Sequence, residues 1–320
     1  MVDAGWVLAV LGGVAGIVLG AETFAEHLAP AAVALRVSTF ALALLLAGAE
    51  PEELATGVAA SLRHAPAVAF GDVIGANVAM CLVALGVGAF VAPLPFGRLV
   101  RRYGLAGLPL GAVCAAMAWH GHIGRTGGAL LVALYVVFVG GIWALEGQPP
   151  VLGETAELAD ANDKAGSADG RHVGRDLLII LAGIGAMSVG ATLLVEGIRH
   201  LSHTDTSQTR VSLSLVGFAT AFELVALAWA AARRGATEAV VAAVVGSYAY
   251  NATMTLGASA LARPLRIDRP GQLHVPLIVM LAALAAALAL AWRPGQLRRP
   301  AGVILLLSYP AFVVAVLTGR

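Results

Sequence analysis

Long apolar runs constrain this chain more than any other feature of its sequence. Between Gly5 and Thr318, about ten stretches each reach the roughly 20 apolar residues that a membrane-spanning helix needs. Hydrophobic residues occupy 59% of the 320 positions and charged residues only 12%, whereas soluble proteins are about 45–50% apolar and about 25% charged. We therefore expect an all-α integral membrane protein with about ten transmembrane helices.

The predicted spans are separated by short turns that contain glycine, proline or charged residues. They run approximately from Gly5 to His27, Ala31 to Leu62, Ala65 to Val91, Gly104 to His120, Gly127 to Leu145, Arg175 to His200, Arg210 to Arg233, Thr237 to Leu261, Leu273 to Trp292 and Ala301 to Thr318.

One long hydrophilic segment interrupts this pattern after the fifth span. Residues 148–174 are rich in acids, Gly and Pro, and they separate residues 1–147 from residues 175–320, each with five predicted spans. With the N-terminus outside, about 12 of the 20 Lys and Arg residues fall on the inner side. We expect this segment to be cytoplasmic and the chain to lie in the cell membrane, plasma or bacterial inner.

The two halves are similar to each other. A shift of 171 positions pairs Glu52 with Glu223, Arg63 with Arg234 and Gly75 with Gly246 without a gap. A shift of 170 also pairs Glu26 with Glu196. Because five spans is an odd number, the second copy must enter the membrane from the opposite side, which predicts two inverted five-helix repeats with a site near the midplane.

Acidic residues follow an apolar run in the first repeat, in "LLLAGAEPEELATGVAASLRH". Carboxylates at bilayer depth are costly unless they are paired, hydrated or bound to a cation, so they mark candidate ion pathways. Adjacent helical residues point about 100° apart, and the match with Glu223 favours Glu52 over Glu53 as the ligand. Glu50 has no acidic counterpart in the second repeat and is a candidate for the access path.

Further oxygen-bearing side chains lie in small-residue motifs later in each repeat. "GDVIGAN" supplies Asp72 and Asn77, and "VVGSYAYN" supplies Ser247 and Asn251. Oxygen ligands suit hard cations such as Ca²⁺ or Na⁺, and the sequence has no His or Cys cluster for a softer metal.

These motifs resemble those of the cation/Ca²⁺ exchanger superfamily, which includes Na⁺/Ca²⁺ and H⁺/Ca²⁺ antiporters. Its two repeats each contain a pattern like G-T-S-L-P-E followed by G-N-x-x-G-S-N-x-x-N. "PEELATGVAASLRHAPAVAFGDVIGAN" and "ATAFELVALAWAAARRGATEAVVAAVVGSYAYN" are degenerate versions of them. The resemblance implies cation antiport, with one glutamate of each repeat, Glu52 and Glu223, as central metal ligands for Ca²⁺ or Na⁺.

The second repeat matches the family pattern better than the first does. Thr220 occupies a serine or threonine position, Ser247 and Asn251 occupy later oxygen positions, and Tyr248 replaces an asparagine. In the first repeat, Glu53 fits the usual spacing to the Gly75 motif better than Glu52 does. Asp72 replaces the first asparagine there, Ala76 the serine and Met80 the last asparagine, so ion identity and stoichiometry stay open.

The sequence thus predicts a secondary antiporter that exchanges Ca²⁺ for Na⁺ or H⁺ and is not an enzyme. Its partners are inorganic cations and the lipid bilayer, and we expect no cofactor. Formal net charge is +1 without a basic block, which argues against a nucleic-acid partner. The predicted cation-binding residues are Glu52, Glu53, Glu223, Asp72, Asn77, Thr220, Ser247 and Asn251, and the candidates for the access path are Glu50, Glu26 and Glu196.

Two other functions remain open. One is a Na⁺/H⁺ or other monovalent cation antiporter of the same fold, and the remote one is an intramembrane enzyme such as a lipid phosphatase. The family resemblance implies that the first and sixth helices slide across the other eight. Glycines in these two helices would permit close contact, at positions Gly12, Gly13, Gly16, Gly20, Gly183, Gly185 and Gly190.

Overall fold

A computed structural model describes residues 4–34, 50–146, 173–202, 204–234 and 237–319. These residues form fourteen α-helices, three π-helical turns and four very short strands. Residues 148–172 of the predicted hydrophilic loop and residues 35–49 of the second predicted span lie outside the described part of the chain. The start predicted for that span at Ala31 is wrong, because residues 31–34 continue the first helix.

Helices dominate the first repeat. Its elements, in chain order, are α1 (Ala4–Ala34), α2 (Pro51–Leu62), α3 (Pro66–Ala79), the π-helical turn π1 (Met80–Ala84), α4 (Leu85–Val91), β1 (Leu94–Pro95), α5 (Arg98–Ala118), β2 (His122–Ile123) and α6 (Arg125–Glu146).

The second repeat follows the same order, with three additional elements at residues 205–220. Its elements are α7 (Val173–Leu201), α8 (Asp205–Val211), π2 (Ser212–Val216), α9 (Gly217–Thr220), α10 (Phe222–Arg234), α11 (Thr237–Tyr250), π3 (Asn251–Thr255), α12 (Leu256–Ala262), β3 (Leu265–Arg266), α13 (Gly271–Trp292), β4 (Gln296–Leu297) and α14 (Arg299–Thr318).

Seven helical stretches in the described residues are long and apolar enough to cross a membrane. They are Ala4–Leu28, Pro66–Val91, Arg125–Leu145, Gly174–Leu201, Thr206–Arg233, Gly271–Trp292 and Arg299–Thr318. Burial separates the central stretches from the peripheral ones. The apolar window of Pro66–Val91 is 83% buried, against 22% for that of Ala4–Leu28, so α3 lies in the centre and α1 at the periphery.

The internal symmetry predicted from the sequence recurs in the folded elements. π1 begins at Met80 and π3 at Asn251, 171 positions apart, and the same offset separates the starts of β1 and β3. The strands pair antiparallel between repeats, β1 with β4 and β2 with β3. Each strand of one repeat thus pairs with a strand of the other, as expected for two inverted copies of one unit. This pairing supports the inverted-repeat architecture.

Glycines bring α1 and α7 into backbone contact. An added Cβ at Gly190 would lie 2.6 Å from the carbonyl oxygen of Gly13, and one at Gly20 would lie 2.7 Å from that of Gly183. Small residues allow this close approach of two helices in a membrane. Gly12 and Gly185 were also candidates for such contacts, but no described atom lies within 4 Å of their added Cβ, so they face away from the interface.

A second close crossing lies at the centre of the molecule, where α3 meets π2 and α9. An added Cβ at Gly75 would overlap the carbonyl oxygen of Leu213, and one at Gly217 would overlap the backbone nitrogen of Ala76. The small-residue motif of the first repeat therefore lets α3 pass directly against the second repeat. This crossing brings the polar side chains of both repeats to the same depth.

Candidate cation site

The site lies where α2 and α10 begin. Pro51 is the first residue of α2, a position where the missing backbone N–H costs nothing. Glu52 and Glu53 lie in the first turn of α2, and Glu223 lies in the first turn of α10, two residues after the interruption at Ala221. Both repeats therefore place glutamates at the positive end of a helix dipole inside the protein.

Three carboxylates of the first repeat form one buried cluster. Glu50, Glu52 and Glu53 are 7%, 2% and 0% exposed. Each has an oxygen atom within 4.8 Å of one from each of the others. Glu52 and Glu53 point in different directions around the helix axis, but side chains in a first turn lean towards the N-terminus. Both can therefore reach the space beyond the helix end, which Glu50 also borders.

Glu223 from the second repeat belongs to the same electrostatic group. It is half-buried, and it lies close enough to Glu50, Glu52 and Glu53 for the charges to interact. Within the described part of the chain, the charged groups close to Glu50, Glu52 and Glu53 are other acids. Like charges confined together in a low-dielectric interior cannot all persist without protons or a cation.

Asp72 joins this group from α3. It is fully buried, and its Oδ1 accepts a hydrogen bond of 3.0 Å from the Thr220 hydroxyl at the end of α9. It lies near enough to Glu53 for their charges to interact. The hydrogen bond joins the two repeats at the crossing of α3 and α9.

Two further contacts connect the repeats through predicted site residues. The Ser247 hydroxyl donates a hydrogen bond to Oε1 of Glu50, and Nδ2 of Asn77 donates one of 3.3 Å to the backbone oxygen of Tyr248. Glu50, which the sequence suggested for the access path, thus lies in the central cluster with a partner from the opposite repeat.

Asn251 is engaged differently from the other predicted ligands. Its Oδ1 accepts a hydrogen bond of 3.0 Å from Thr255 within π3, and its Nδ2 lies 4.0 Å from the sulfur of Met80. Tyr248 also turns its hydroxyl away from the acids, towards the backbone oxygen of Met280 at 3.5 Å. In the described residues, the Ser247 hydroxyl of the second-repeat motif contacts the acidic cluster, whereas the side chains of Asn251 and Tyr248 have other partners.

Several buried oxygens have no hydrogen-bond partner among the described protein atoms. In the segments of the site they are both carboxylate oxygens of Glu53, Oδ2 of Asp72, Oδ1 of Asn77, and the hydroxyls of Thr56 and Ser212; Oε1 of Gln272 is a further one outside the site. Buried polar atoms are normally satisfied, and an unpaired one costs free energy. Oxygens of this kind at the crossing of two repeats fit a site for a hard cation.

Thr56 and Ser212 were not singled out by the sequence. Thr56 lies three residues after Glu53 and four after Glu52, so helical spacing places it on the same face. Ser212 faces Gly71 across the α3–π2 crossing. The spacing to Glu52 was a signal that could have identified Thr56, whereas Ser212 depended on a contact between distant segments.

The other candidates for the access path lie outside the cluster. Glu26 is exposed on α1. Glu196 on α7 is half-buried and pairs with Arg63 at 3.1 Å and with Arg199 at 3.3 Å. Because Arg63 follows the last residue of α2, this network ties the peripheral α1–α7 pair to the helix that bears the central acids.

Comparisons with known proteins agree on the kind of fold and family. A family model described as sodium/calcium exchanger protein matches residues 5–144 and 176–318. An uncharacterized membrane protein of Methanocaldococcus jannaschii is 26% identical over 72% of this chain and 70% of its own length. Inner membrane protein YrbG of Escherichia coli is 27% identical over 81% of this chain and 79% of its own length.

Two further matches concern named exchangers. Sodium/calcium exchanger MaX1 of Methanosarcina acetivorans is 34% identical, but over only 27% of this chain and 25% of its own. A solved structure of the sodium-calcium exchanger NCX_Mj, soaked with Na⁺ and Sr²⁺, covers 100% of both chains with a TM-score of 0.60 and 21% identity, which shows a shared fold. Since the family model matches both repeats over most of their length, the chain belongs to the sodium/calcium exchanger protein family.

Proposed function

We propose that this protein is a secondary active antiporter that exchanges Ca²⁺ for Na⁺ or H⁺ across the cell membrane. The cation binds between the two repeats, with Glu52 or Glu53 of the first and Glu223 of the second as central ligands. The observation that supports this most directly is the buried acidic cluster at the start of α2 and α10, to which both repeats contribute.

The donor set supports a hard cation. The side-chain groups around the cluster are carboxylates, hydroxyls and an amide, from Glu52, Glu53, Asp72, Asn77, Thr220 and Ser247. Ca²⁺ takes six to eight oxygen ligands in flexible geometry, and carboxylates are its preferred charged partners. Backbone carbonyls and water can complete such a shell.

Repulsion between the acids explains why one ion must replace another in the site. Because the acidic residues repel one another in a low-dielectric interior, the loaded protein must hold either a divalent cation or the compensating Na⁺ or H⁺. Repulsion between the acids therefore makes the empty, fully charged site less stable than a site that holds a cation or protons. A site that must be occupied couples the outward movement of one ion to the inward movement of the other.

Alternating access requires that the cluster open to each side in turn. The α1–α7 pair is suited to this movement, since the glycine contacts are between these two helices and α1 is only lightly buried elsewhere. We propose that the pair slides across the other eight predicted spans, as the family resemblance implies. The orientation with the N-terminus outside is part of the same proposal.

A Na⁺/H⁺ or other monovalent cation antiporter is the second candidate. Ala76, Met80 and Tyr248 contribute no side-chain oxygen to the cluster, and Asn251 directs its oxygen to Thr255. Loss of neutral oxygens while carboxylates are retained weakens a multidentate Ca²⁺ shell more than it weakens a site for protons or one small cation. The remote lipid-phosphatase alternative has less support, since the matched family consists of transporters.

The decisive experiment measures ⁴⁵Ca²⁺ uptake into proteoliposomes under an outward Na⁺ gradient, and separately under a pH gradient. The test variant is Glu223→Gln, which removes the charge and keeps the size. Glu238→Gln is the matched control, because Glu238 lies exposed in the first turn of α11. We expect gradient-driven uptake in the wild type and in Glu238→Gln, and its loss in Glu223→Gln.

The outcomes separate the candidates. Absence of Ca²⁺ flux, together with acid-sensitive Na⁺ movement that Glu223→Gln abolishes, would reject Ca²⁺ exchange and support the monovalent antiporter. Flux of neither ion under any gradient would reject antiport of both. Equal Ca²⁺ uptake in the two variants would reject the role of Glu223.

A further inference from the structure

A groove lies between α13 and α14, away from the acidic cluster. It encloses about 380 Å³, and small or apolar side chains dominate its lining. The residues that line it are Leu82, Val279, Ala282, Ala283, Ala286, Ile304, Leu305, Ser308, Ala311, Phe312 and Ala315. Ala283, Leu305 and Phe312 form a buried floor, whereas Ala282 and Ala311 are exposed at the sides.

A second cavity lies next to this groove, at the end where α13 begins. It encloses about 190 Å³ and shares Ala315 with the first cavity. Its lining is more polar than that of the groove and includes Thr209, Arg210 and Gln272. The two cavities thus adjoin at Ala315, with a more polar mouth where α13 begins and an apolar body beyond it.

The two cavities together are long enough to span one leaflet of a membrane. Its lining residues on α13 extend from Gly271 to Ala286 at helical spacing, which is about 22 Å at the usual rise of about 1.5 Å per residue. Half of the hydrocarbon core of a bilayer is roughly 15 Å thick. The mouth lies where α13 begins and α14 ends, at the depth expected for lipid headgroups.

Positive charge exceeds negative charge at the mouth, although exposed Asp268 lies beside Arg269 and the C-terminus of α14 contributes the negative end of a helix dipole. Nη1 of Arg210 donates a hydrogen bond of 2.8 Å to the backbone oxygen of Leu317, which holds the guanidinium beside the end of α14. The N-terminus of α13 adds the positive end of a helix dipole. Arg269, two residues before α13, is exposed, and its Nη1 lies 3.4 Å from the Thr206 hydroxyl. A planar guanidinium is well suited to the oxygens of a phosphate.

We propose that this groove is a binding site for one phospholipid. The phosphodiester lies at Arg210 in the mouth, and one acyl chain lies along the faces of α13 and α14 as far as Ala286 and Ile304. The positive mouth selects the phosphate, and the small side chains on both helices leave the room for the chain. This site is separate from the cation site and does not depend on which ion is transported.

Native mass spectrometry of the full chain tests the proposal. The protein is purified in detergent and titrated with palmitoyl-oleoyl-phosphatidylglycerol. One variant for each end of the lipid is compared with the wild type, Arg210→Gln for the mouth and Ala311→Phe for the groove. The control is Leu307→Phe, because Leu307 is 70% exposed and does not line the groove. Arg210→Lys tests whether the charge at the mouth is sufficient.

We expect one lipid to bind the wild type and Leu307→Phe more tightly than any later lipid. Arg210→Gln should weaken this first binding about tenfold or more, the usual effect of removing a charged hydrogen-bond partner. Ala311→Phe should also weaken it, and Arg210→Lys should lose less than Arg210→Gln. Lipids that add stepwise with equal affinity, or a loss in only one of the two test variants, would overturn the proposal.

Discussion

Replacement of Gly190 by alanine tests the close contact between α1 and α7. The added Cβ would lie 2.6 Å from the carbonyl oxygen of Gly13 and 2.7 Å from the backbone nitrogen of Ile17. Ordinary contacts begin at 3.4 Å, so the two helices must separate by about 0.8 Å. Both obstructing atoms belong to the backbone, and a change of side-chain rotamer therefore cannot relieve the overlap.

A matched control separates the cost of overpacking from the gain in helix propensity. Overpacking costs about 1–3 kcal/mol, whereas Gly→Ala within a helix gains about 1 kcal/mol from helix propensity. Gly185→Ala is on the same helix and has no described atom within 4 Å of the added Cβ, so it should show the gain alone. The difference in stability between the two variants should therefore be about 1–3 kcal/mol, with Gly190→Ala the less stable.

Thermal unfolding in detergent and the initial rate of gradient-driven ion uptake in proteoliposomes are the measurements. Gly190→Ala should unfold at a lower temperature than Gly185→Ala. It should also change the uptake rate, because the separated α1–α7 pair contacts the core differently. Equal stability and equal rates in the two variants would show that the backbone contact at Gly190 is not maintained in the membrane, and would refute the proposed role of this interface.

Two other contacts give further predictions. Thr220→Val removes the hydroxyl that donates to Asp72, and it should lower the free energy of unfolding by about 1–3 kcal/mol relative to Thr220→Ser; equal thermal stability of the two variants would contradict the hydrogen bond. Glu196→Gln removes the charge that pairs with Arg63 and Arg199. It should cost at most about 1 kcal/mol at low salt and less at high salt, and a large loss independent of salt in the same unfolding measurement would argue against a partly exposed ion pair.

Much of the fold could be predicted from the sequence because the necessary signals are local. Apolar length determines where a helix can cross the membrane, and the match at an offset of 171 relates the halves without reference to any contact. An odd number of spans in each repeat then requires opposite orientations. The nearly all-helical structure, the π-helical turns that recur 171 positions apart and the reciprocal strand pairing all agree with this architecture.

The site was only partly predictable from the sequence, because the arrangement of its side chains depends on contacts between distant segments. Acids within apolar runs can be recognised because their desolvation is costly wherever the chain folds. Their arrangement depends on where a helix begins and on what crosses it. Glu50 lies with Glu52 and Glu53 because α2 begins at Pro51, inside the protein, so that all three reach the space beyond its first turn.

The sequence alone therefore determined that this is a ten-span membrane protein of two inverted repeats, with acids in each. Hydrophobicity and internal repetition are properties of the chain itself. Tertiary structure decided which oxygens meet: the Ser247 hydroxyl with Glu50, the Thr220 hydroxyl with Asp72, and the Asn251 oxygen with the Thr255 hydroxyl. These pairings depend on the angle and depth at which helices from different repeats cross, and no local pattern of residues specifies either.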